Sequence, residues 1–200
     1  MTKSLNLPRL VVLVSGTGTN LQAILNACAD GALPASVVAV FSNKPLAFGL
    51  TRANNAKVPS IAFPSLDSES RHEYDTRLAA SVAGYAPDYV ILAGWMRILT
   101  SHFLNRFPEK VINLHPALPG MFPGTHAIER AYEAAQKGEI DRTGVMIHLV
   151  PDEGVDNGPV LATQEIFFQD GETLHDFEQR VHSVEHKLMV ETLKKVISGK

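Results

Sequence analysis

Three unbroken apolar runs constrain this chain more than any other feature: "RLVVLVSG" (9–16), "ASVVAVFSN" (35–43) and "DYVILAGW" (88–95). A run of this kind, closed by glycine or a small polar residue, is the pattern of a strand buried on both faces. Helical spacing fills the gaps. In "TNLQAILNACAD" (19–30) Leu21, Ile24, Leu25 and Cys28 recur on one side and Gly31 ends the pattern, and "AFGLTRANNAK" (47–57) is a second predicted helix. "VPSIAFP" (58–64) reads as a short strand. "DSESRHEYDTRLAASVAGY" (67–85) reads as a helix capped by Asp67 or Ser68, with Tyr74, Leu78 and Val82 sharing a face. Strands alternating with helices predict an α/β fold, a mostly parallel twisted sheet with helices on both faces.

A fifth strand opens "VINLHPALPG" (111–120) and raises a local question. Side chains alternate along a strand, so Asn113 and His115 point one way and Leu114 the other. Pro116 cannot donate to a sheet ladder and should end the strand. An amide and an imidazole then sit side by side at its carboxyl end, where ligands bind in open α/β sheets. Beyond Pro116 the pattern changes. "HAIERAYEAAQKG" (126–138) is a helix ended by Gly138, and "GVMIHLVP" (144–151) and "PVLATQEIFF" (159–168) are an antiparallel strand pair joined by "DEGVDNG". The last segment (172–198) is a long amphipathic helix with Leu174, Phe177, Val181, Val184, Leu188 and Leu193 on its buried side. No internal repeat or long linker interrupts residues 1–200, so one domain is expected.

Composition narrows the function classes. A chain of 200 residues can bury roughly 70% of its unfolded surface, enough for one sizeable core. A net charge of -3 offers no general attraction for nucleic acid or an anionic membrane. The one cysteine, Cys28, excludes an intrachain disulfide and a CxxC metal site, and its helical setting reads as core filler. No apolar run reaches the ~20 residues needed to span a bilayer, and no basic-plus-apolar leader precedes the first strand, so the expected location is the cytoplasm.

Three stretches can carry chemistry. "SGTGTN" (15–20) joins a strand to a helix start, where Gly16 and Gly18 permit positive φ and free amides attract an anion. It lacks the third glycine of GxGxxG and the lysine of a phosphate loop, so it reads as a small monophosphate site or as a plain tight turn. "AGWMRILTSHFL" (93–104) offers Trp95, Met96, Arg97, Ile98 and Leu99 as an apolar wall for a flat ligand, or as core. The turn after "HLVP" carries Asp152, Glu153 and Asp156, either solvated or paired with a histidine. His182 and His186 have the i, i+4 spacing of a zinc pair, but without HExxH or a cysteine partner no metal is expected. There is no GxSxG nucleophile elbow.

Taken together, "SGTGTNLQAIL", "AVFSNKPLAFGLTRA", "SRHEYD", "LAGWMRIL", "NLHPALPG…FPGTHA" and "DEGVDNGPV" closely resemble the glycinamide ribonucleotide formyltransferase family, in order along nearly the whole chain. The resemblance implies the formyltransferase variant of the α/β fold, glycinamide ribonucleotide as acceptor and N10-formyltetrahydrofolate as the formyl-donating cosubstrate. By position it implies that Gly18, Thr19 and Asn20 hold the ribonucleotide phosphate and that Glu185 contacts the ribonucleotide. Arg71, Met96, Arg97, Ile98, Leu99 and Asn113 would line the folate site, and Asn113, His115 and Asp156 would be the catalytic residues. The chain departs from the family in three places. Pro119 and Gly120 replace Leu-Pro, the His148-to-Asp156 spacing is one residue longer, and Trp95 stands where Phe is frequent.

These residue types suit acyl transfer. Attack of an amine on a formyl group makes a tetrahedral centre whose oxygen becomes negative, and fixed hydrogen-bond donors stabilise it most in the transition state. Asn113 supplies an amide N–H, a protonated His115 supplies a charged one, and Asp156 is expected to favour the imidazolium and relay the amine's proton. A formyltetrahydrofolate deformylase is expected to carry an extra amino-terminal domain, and a methionyl-tRNA formyltransferase a carboxy-terminal tRNA-binding one. A non-catalytic nucleotide-binding module would leave Asn113 and His115 idle. The expected partners are the ribonucleotide and folate, with neither nucleic acid nor membrane, and the chain a monomer or homodimer.

Overall fold

In the computed structural model, which describes residues 7–199, the first apolar run becomes β1 (Arg9–Val14) at the centre of the sheet. From Leu10 to Val14 every side chain is fully buried, Leu10, Val12 and Val14 in one layer and Val11 and Leu13 in the other. Burying an aliphatic side chain of this size stabilises by roughly 1.5–3 kcal/mol, so the central strand anchors both cores. β2 (Ser36–Ser42) and β4 (Tyr89–Leu92) flank it in parallel, β3 (Ser60–Ala62) adds beyond β2, and β5 (Val111–His115) beyond β4. β6 (Arg142–Leu149) and β7 (Val160–Phe167) complete a seven-stranded sheet in the order β3-β2-β1-β4-β5-β6-β7.

Helices cover both faces, as predicted. α1 (Thr19–Ala29), α2 (Phe48–Asn55), α5 (Ala127–Gln136) and α6 (Leu174–Ser198) contribute to the layer containing Leu10 and Val12. α3 (Arg71–Ala83) and the short α4 (Ser101–Leu104), which was not expected, contribute to the other. The predicted antiparallel pairing of β6 with β7 is present, and β6 is antiparallel to β5 as well. That second pairing sets Asn113 opposite His148 and His115 opposite Met146. Residues directly opposite share a sheet face, so His148 joins Asn113 and His115.

Strand order reverses between β2-β1 and β1-β4, which opens a crevice at the carboxyl ends of β1 and β4. The two loops leaving it are tied together. Ser15 N–H donates to the Gly94 carbonyl at 2.9 Å, and Met96 N–H donates to Ser15 Oγ at 2.8 Å.

Local expectations needed correcting at two points. α3 starts later than predicted: its cap is Ser70, not Asp67 or Ser68, because Ser70 Oγ accepts from Glu73 N–H while Glu73 accepts from Ser70 N–H. This reciprocal box satisfies two free donors at once. Along α6, Phe177, Val181 and Leu193 are buried as expected, but Leu174, Val184 and Leu188 are only half-buried. Glu185, Met189 and Thr192 take the buried line instead. Of the two glycines in the first loop, Gly18 alone has positive φ, at 71°. No helix among the described residues is long and apolar enough to cross a membrane. The expectation about a leader falls partly on residues 1–6, outside the described range.

Ser70→Ala should cost about 1 kcal/mol in urea unfolding, the usual loss for an N-cap. Asp67→Ala should stay within about 0.5 kcal/mol of the parent, as an exposed residue with no capping role. Equal losses would place the cap wrongly.

Candidate active site

One carboxylate gathers the polar residues of β5 and β6. Asn113 Nδ2 donates to Asp156 Oδ1 at 3.0 Å and lies 3.0 Å from His148 Nε2. His148 Nδ1 lies 2.8 Å from the Leu149 carbonyl, and its Nε2 lies 3.5 Å from Asp156 Oδ1. Gly124 N–H donates to Asp156 Oδ2 at 2.8 Å, and His115 Nδ1 lies 3.2 Å from the same oxygen. His115 and His148 are buried. Asp156 adopts φ of 51°, a left-handed backbone that a non-glycine residue holds only when its contacts demand it.

The electrostatics follow from burial set against these contacts. Burial pushes the Asp156 carboxyl upward, but the hydrogen bond with His148, the Gly124 amide and the two imidazoles outweigh it and hold its pKa below the ordinary value. For His115 the balance goes the other way. Burial lowers its pKa, and the attractions of Asp156 and the Met121 carbonyl do not overcome it. Asp156 does favour the imidazolium, as expected, but desolvation is the larger effect and the net shift is downward. Its nitrogens nevertheless face two acceptors, Asp156 Oδ2 and the Met121 carbonyl, the latter 3.3 Å from Nε2. A neutral ring satisfies one of them. Taking up a proton satisfies the other, so His115 is built to accept one.

Asp152 and Glu153 do other work. Asp152 Oδ1 accepts from Gly154 N–H at 2.8 Å within the turn. Glu153 Oε1 accepts from Ser101 N–H at 3.0 Å, tying the turn to the start of α4. Asp156, despite the longer spacing, is the carboxylate that reaches His115.

The cluster lies on a cleft of about 920 Å³. At one end, loop 15–20 meets the unblocked start of α1, with Gly18 at the cap position, no side-chain cap and no acidic residue in the first turn. Gly18 is enforced twice, since its φ is positive and a Cβ there would come 2.8 Å from Gly49 Cα of α2. Thr19 lines this end. Asn20 is buried and donates to Glu185 Oε2 at 3.1 Å, which leaves its Oδ1 without a partner. Glu185 also holds His182 Nδ1 at 2.8 Å, and that hydrogen bond raises the His182 pKa against burial. His182, one of the pair with zinc-like spacing, thus faces a carboxylate and the loop.

At the other end, Trp95 and Leu99 are buried, while Met96 (63% exposed) and Ile98 (47%) present apolar surface to the cleft. The Arg97 guanidinium sits over the Tyr74 ring, 4.0 Å from its centroid. Thus Gly18, Thr19, Asn20, Met96, Arg97, Ile98, Leu99, Asn113, His115, Asp156 and Glu185 all share one cleft. Arg71 does not line it. It stands behind the wall, donating to the Ile98 carbonyl at 3.3 Å and lying 3.9 Å from Glu153 Oε2. Sequence reasoning missed His148, His182 and the Gly124 amide as members of the site. Only the antiparallel register could have revealed His148, and nothing local marks Gly124.

Comparison with known proteins identifies the family. The formyl transferase family model matches residues 8–193. Phosphoribosylglycinamide formyltransferase of Dictyostelium discoideum is 42% identical over 199 residues, covering 92% of this chain and 96% of that protein. The Schizosaccharomyces pombe protein of the same name is 40% identical over 201 residues, covering 94% and 97%. Among solved structures, glycinamide ribonucleotide transformylase 1 from Symbiobacterium toebii superposes with a TM-score of 0.90 at 35% identity, covering 96% of this chain and 89% of that one. The equivalent structure from Geobacillus kaustophilus gives 0.89 at 36% identity, covering 96% and 100%. With the family model spanning nearly the whole chain and relatives aligned end to end, the chain belongs to the formyl transferase family and, within it, to the phosphoribosylglycinamide formyltransferases.

Proposed function

We propose that this chain transfers the formyl group of N10-formyltetrahydrofolate to the amine of glycinamide ribonucleotide, with Asn113, His115 and Asp156 as its catalytic residues. The observation that carries the reading is the convergence of Asn113 and His115 on the half-buried carboxylate of Asp156, between an anion-suited loop and an apolar wall. The ribonucleotide phosphate would take the free amides at Gly18, Thr19 and Asn20, with Glu185 holding the sugar. The flat donor would lie against Met96, Arg97, Ile98 and Leu99. Arg71, half-exposed behind that wall, would meet the donor's glutamate carboxylates. The reading carries with it one domain over residues 1–200, a cytoplasmic setting and no metal.

In the reaction, the amine nitrogen bonds to the formyl carbon and the carbonyl oxygen becomes negative. Neutral His115 takes the proton the amine loses, directly or through Asp156. The positive charge of its imidazolium then lies near the oxyanion, and Asn113 supplies the amide N–H after exchanging one of its present partners. The intermediate collapses as the bond from carbon to the donor's N10 breaks, and the proton passes to N10. No covalent enzyme intermediate is needed.

An assay with both substrates should yield formylated ribonucleotide and tetrahydrofolate. Formate release without acceptor would favour a hydrolase instead. Asn113→Ala and His115→Ala should each lose turnover on the order of 100- to 1000-fold, roughly 3–4 kcal/mol of barrier, while still binding both substrates. Asp156→Asn should lower the His115 pKa further, because the neighbouring charge that opposes burial is gone, so the acid limb of the rate profile moves to lower pH as turnover falls. Asp152→Asn and Glu153→Gln should remain near the parent; a reversal of that order would mean the wrong carboxylate was assigned. Gly18→Ala should raise the ribonucleotide KM on the order of tenfold and leave the donor KM nearly unchanged, since the loop amides that receive the anion are displaced. Equal effects on both would remove the phosphate from this loop.

A further inference from the structure

The loop between β5 and α5 supplies two of the contacts that hold the catalytic pair, and both come from backbone. The Met121 carbonyl faces His115 Nε2 at 3.3 Å, and the Gly124 amide donates to Asp156 Oδ2 at 2.8 Å. A loop is an unreliable source of fixed dipoles unless something fixes it. Here Phe122 and His126 are non-glycine residues at φ of 46° and 58°, conformations that cost on the order of 1–3 kcal/mol each and persist only when over-determined. The restraint comes from one side chain. Arg130 Nη2 donates to the Phe122 carbonyl at 2.6 Å and to the Pro123 carbonyl at 2.7 Å, with Nε 3.4 Å from the His126 carbonyl.

Arg130 lies in the first turn of α5, where a positive charge is unfavourable to the helix dipole. Its position therefore has no helix-stabilising reason, and its bonds run backward to the loop. The guanidinium's rigid fork of donors suits the holding of adjacent carbonyls. The Met121 carbonyl belongs to the peptide just before the clamped ones, and the Gly124 N–H belongs to the same peptide as the clamped Pro123 carbonyl, so the clamp sets the direction of both dipoles. Arg130 itself makes no hydrogen bond to His115 or Asp156.

We propose that Arg130 is a positioning residue for the His115–Asp156 pair, acting by clamping the Phe122 and Pro123 carbonyls so that the Met121 carbonyl and the Gly124 amide stay aimed at it. The inference rests on the proposed formyl transfer for its kinetic reading, but not for its structural one. Arg130→Met should lower kcat on the order of tenfold while both KM values stay within about twofold, because positioning acts on the transition state more than on ground-state binding. Arg130→Lys, which keeps a donor for one carbonyl, should fall between the two and serves if the Met variant folds poorly. In an Asp156→Asn background the same Arg130→Met change should cost under about twofold, since residues acting through one network are not additive. The His115 ring nitrogen resonances, measured without substrates, should shift in Arg130→Lys, which keeps the positive charge that itself lowers the His115 pKa, as well as in Arg130→Met, and stay in place in Lys137→Met, a control at the far end of α5. An equal loss of turnover in both backgrounds, an increase confined to one KM, or unmoved His115 resonances would overturn the proposal. If the parent enzyme itself failed to transfer formyl groups, the kinetic function would fall while the resonance test still decided the clamp.

Discussion

Everything in the site depends on how one half-buried carboxylate is satisfied. Asp156 is reached by an amide side chain, two imidazoles and a backbone N–H, from β5, β6 and the loop before α5. A carboxylate removed from water without such partners would cost several kcal/mol. With them its ionised form is preferred, and the turn that carries it is drawn over the carboxyl end of β5 even at the expense of a left-handed φ. The polar cluster therefore fixes that turn along one side of the cleft.

That arrangement needs the sheet to change direction. Had β6 run parallel to β5, the Asn113–His148 register would not exist, and the short return from β6 to β7 through residues 150–159 would lie at the opposite end of the sheet. The parallel half of the sheet supplies the other requirement, a crevice at the reversal of strand order where two loops leave side by side. Asn20 and Glu185 then link the first of those loops to the last helix across the chain's whole length. Three regions distant in sequence are thus held by single hydrogen bonds at one cleft.

Protonation couples the site to stability in a definite direction. Asp156 and His115 both have folded pKa values below their ordinary ones, so between each folded and unfolded value the unfolded chain binds more protons. Each contributes stability that is complete above its ordinary pKa and is lost as pH falls through the folded one. The two effects add. Acid loosens this site from below pH ~6.5 for the histidine, and lower still for the aspartate.

The sequence alone determined the parallel core, the antiparallel pair near the C-terminus and the pairing of Asn113 with His115 on one face. These follow from backbone periodicity and from proline's missing N–H, which act over a few residues and leave their mark on the residues themselves. The glycine at position 18 was legible for the same reason, although its second constraint, the approach of Gly49, was not. Tertiary structure decided the rest. It placed His148 opposite Asn113, set Arg71 behind the cleft wall, gave Glu185 rather than Leu188 a place on the buried line of α6, and let burial outweigh Asp156 at His115. Registers between distant strands, desolvation and the aim of a backbone amide are properties of surroundings, and no local pattern encodes them.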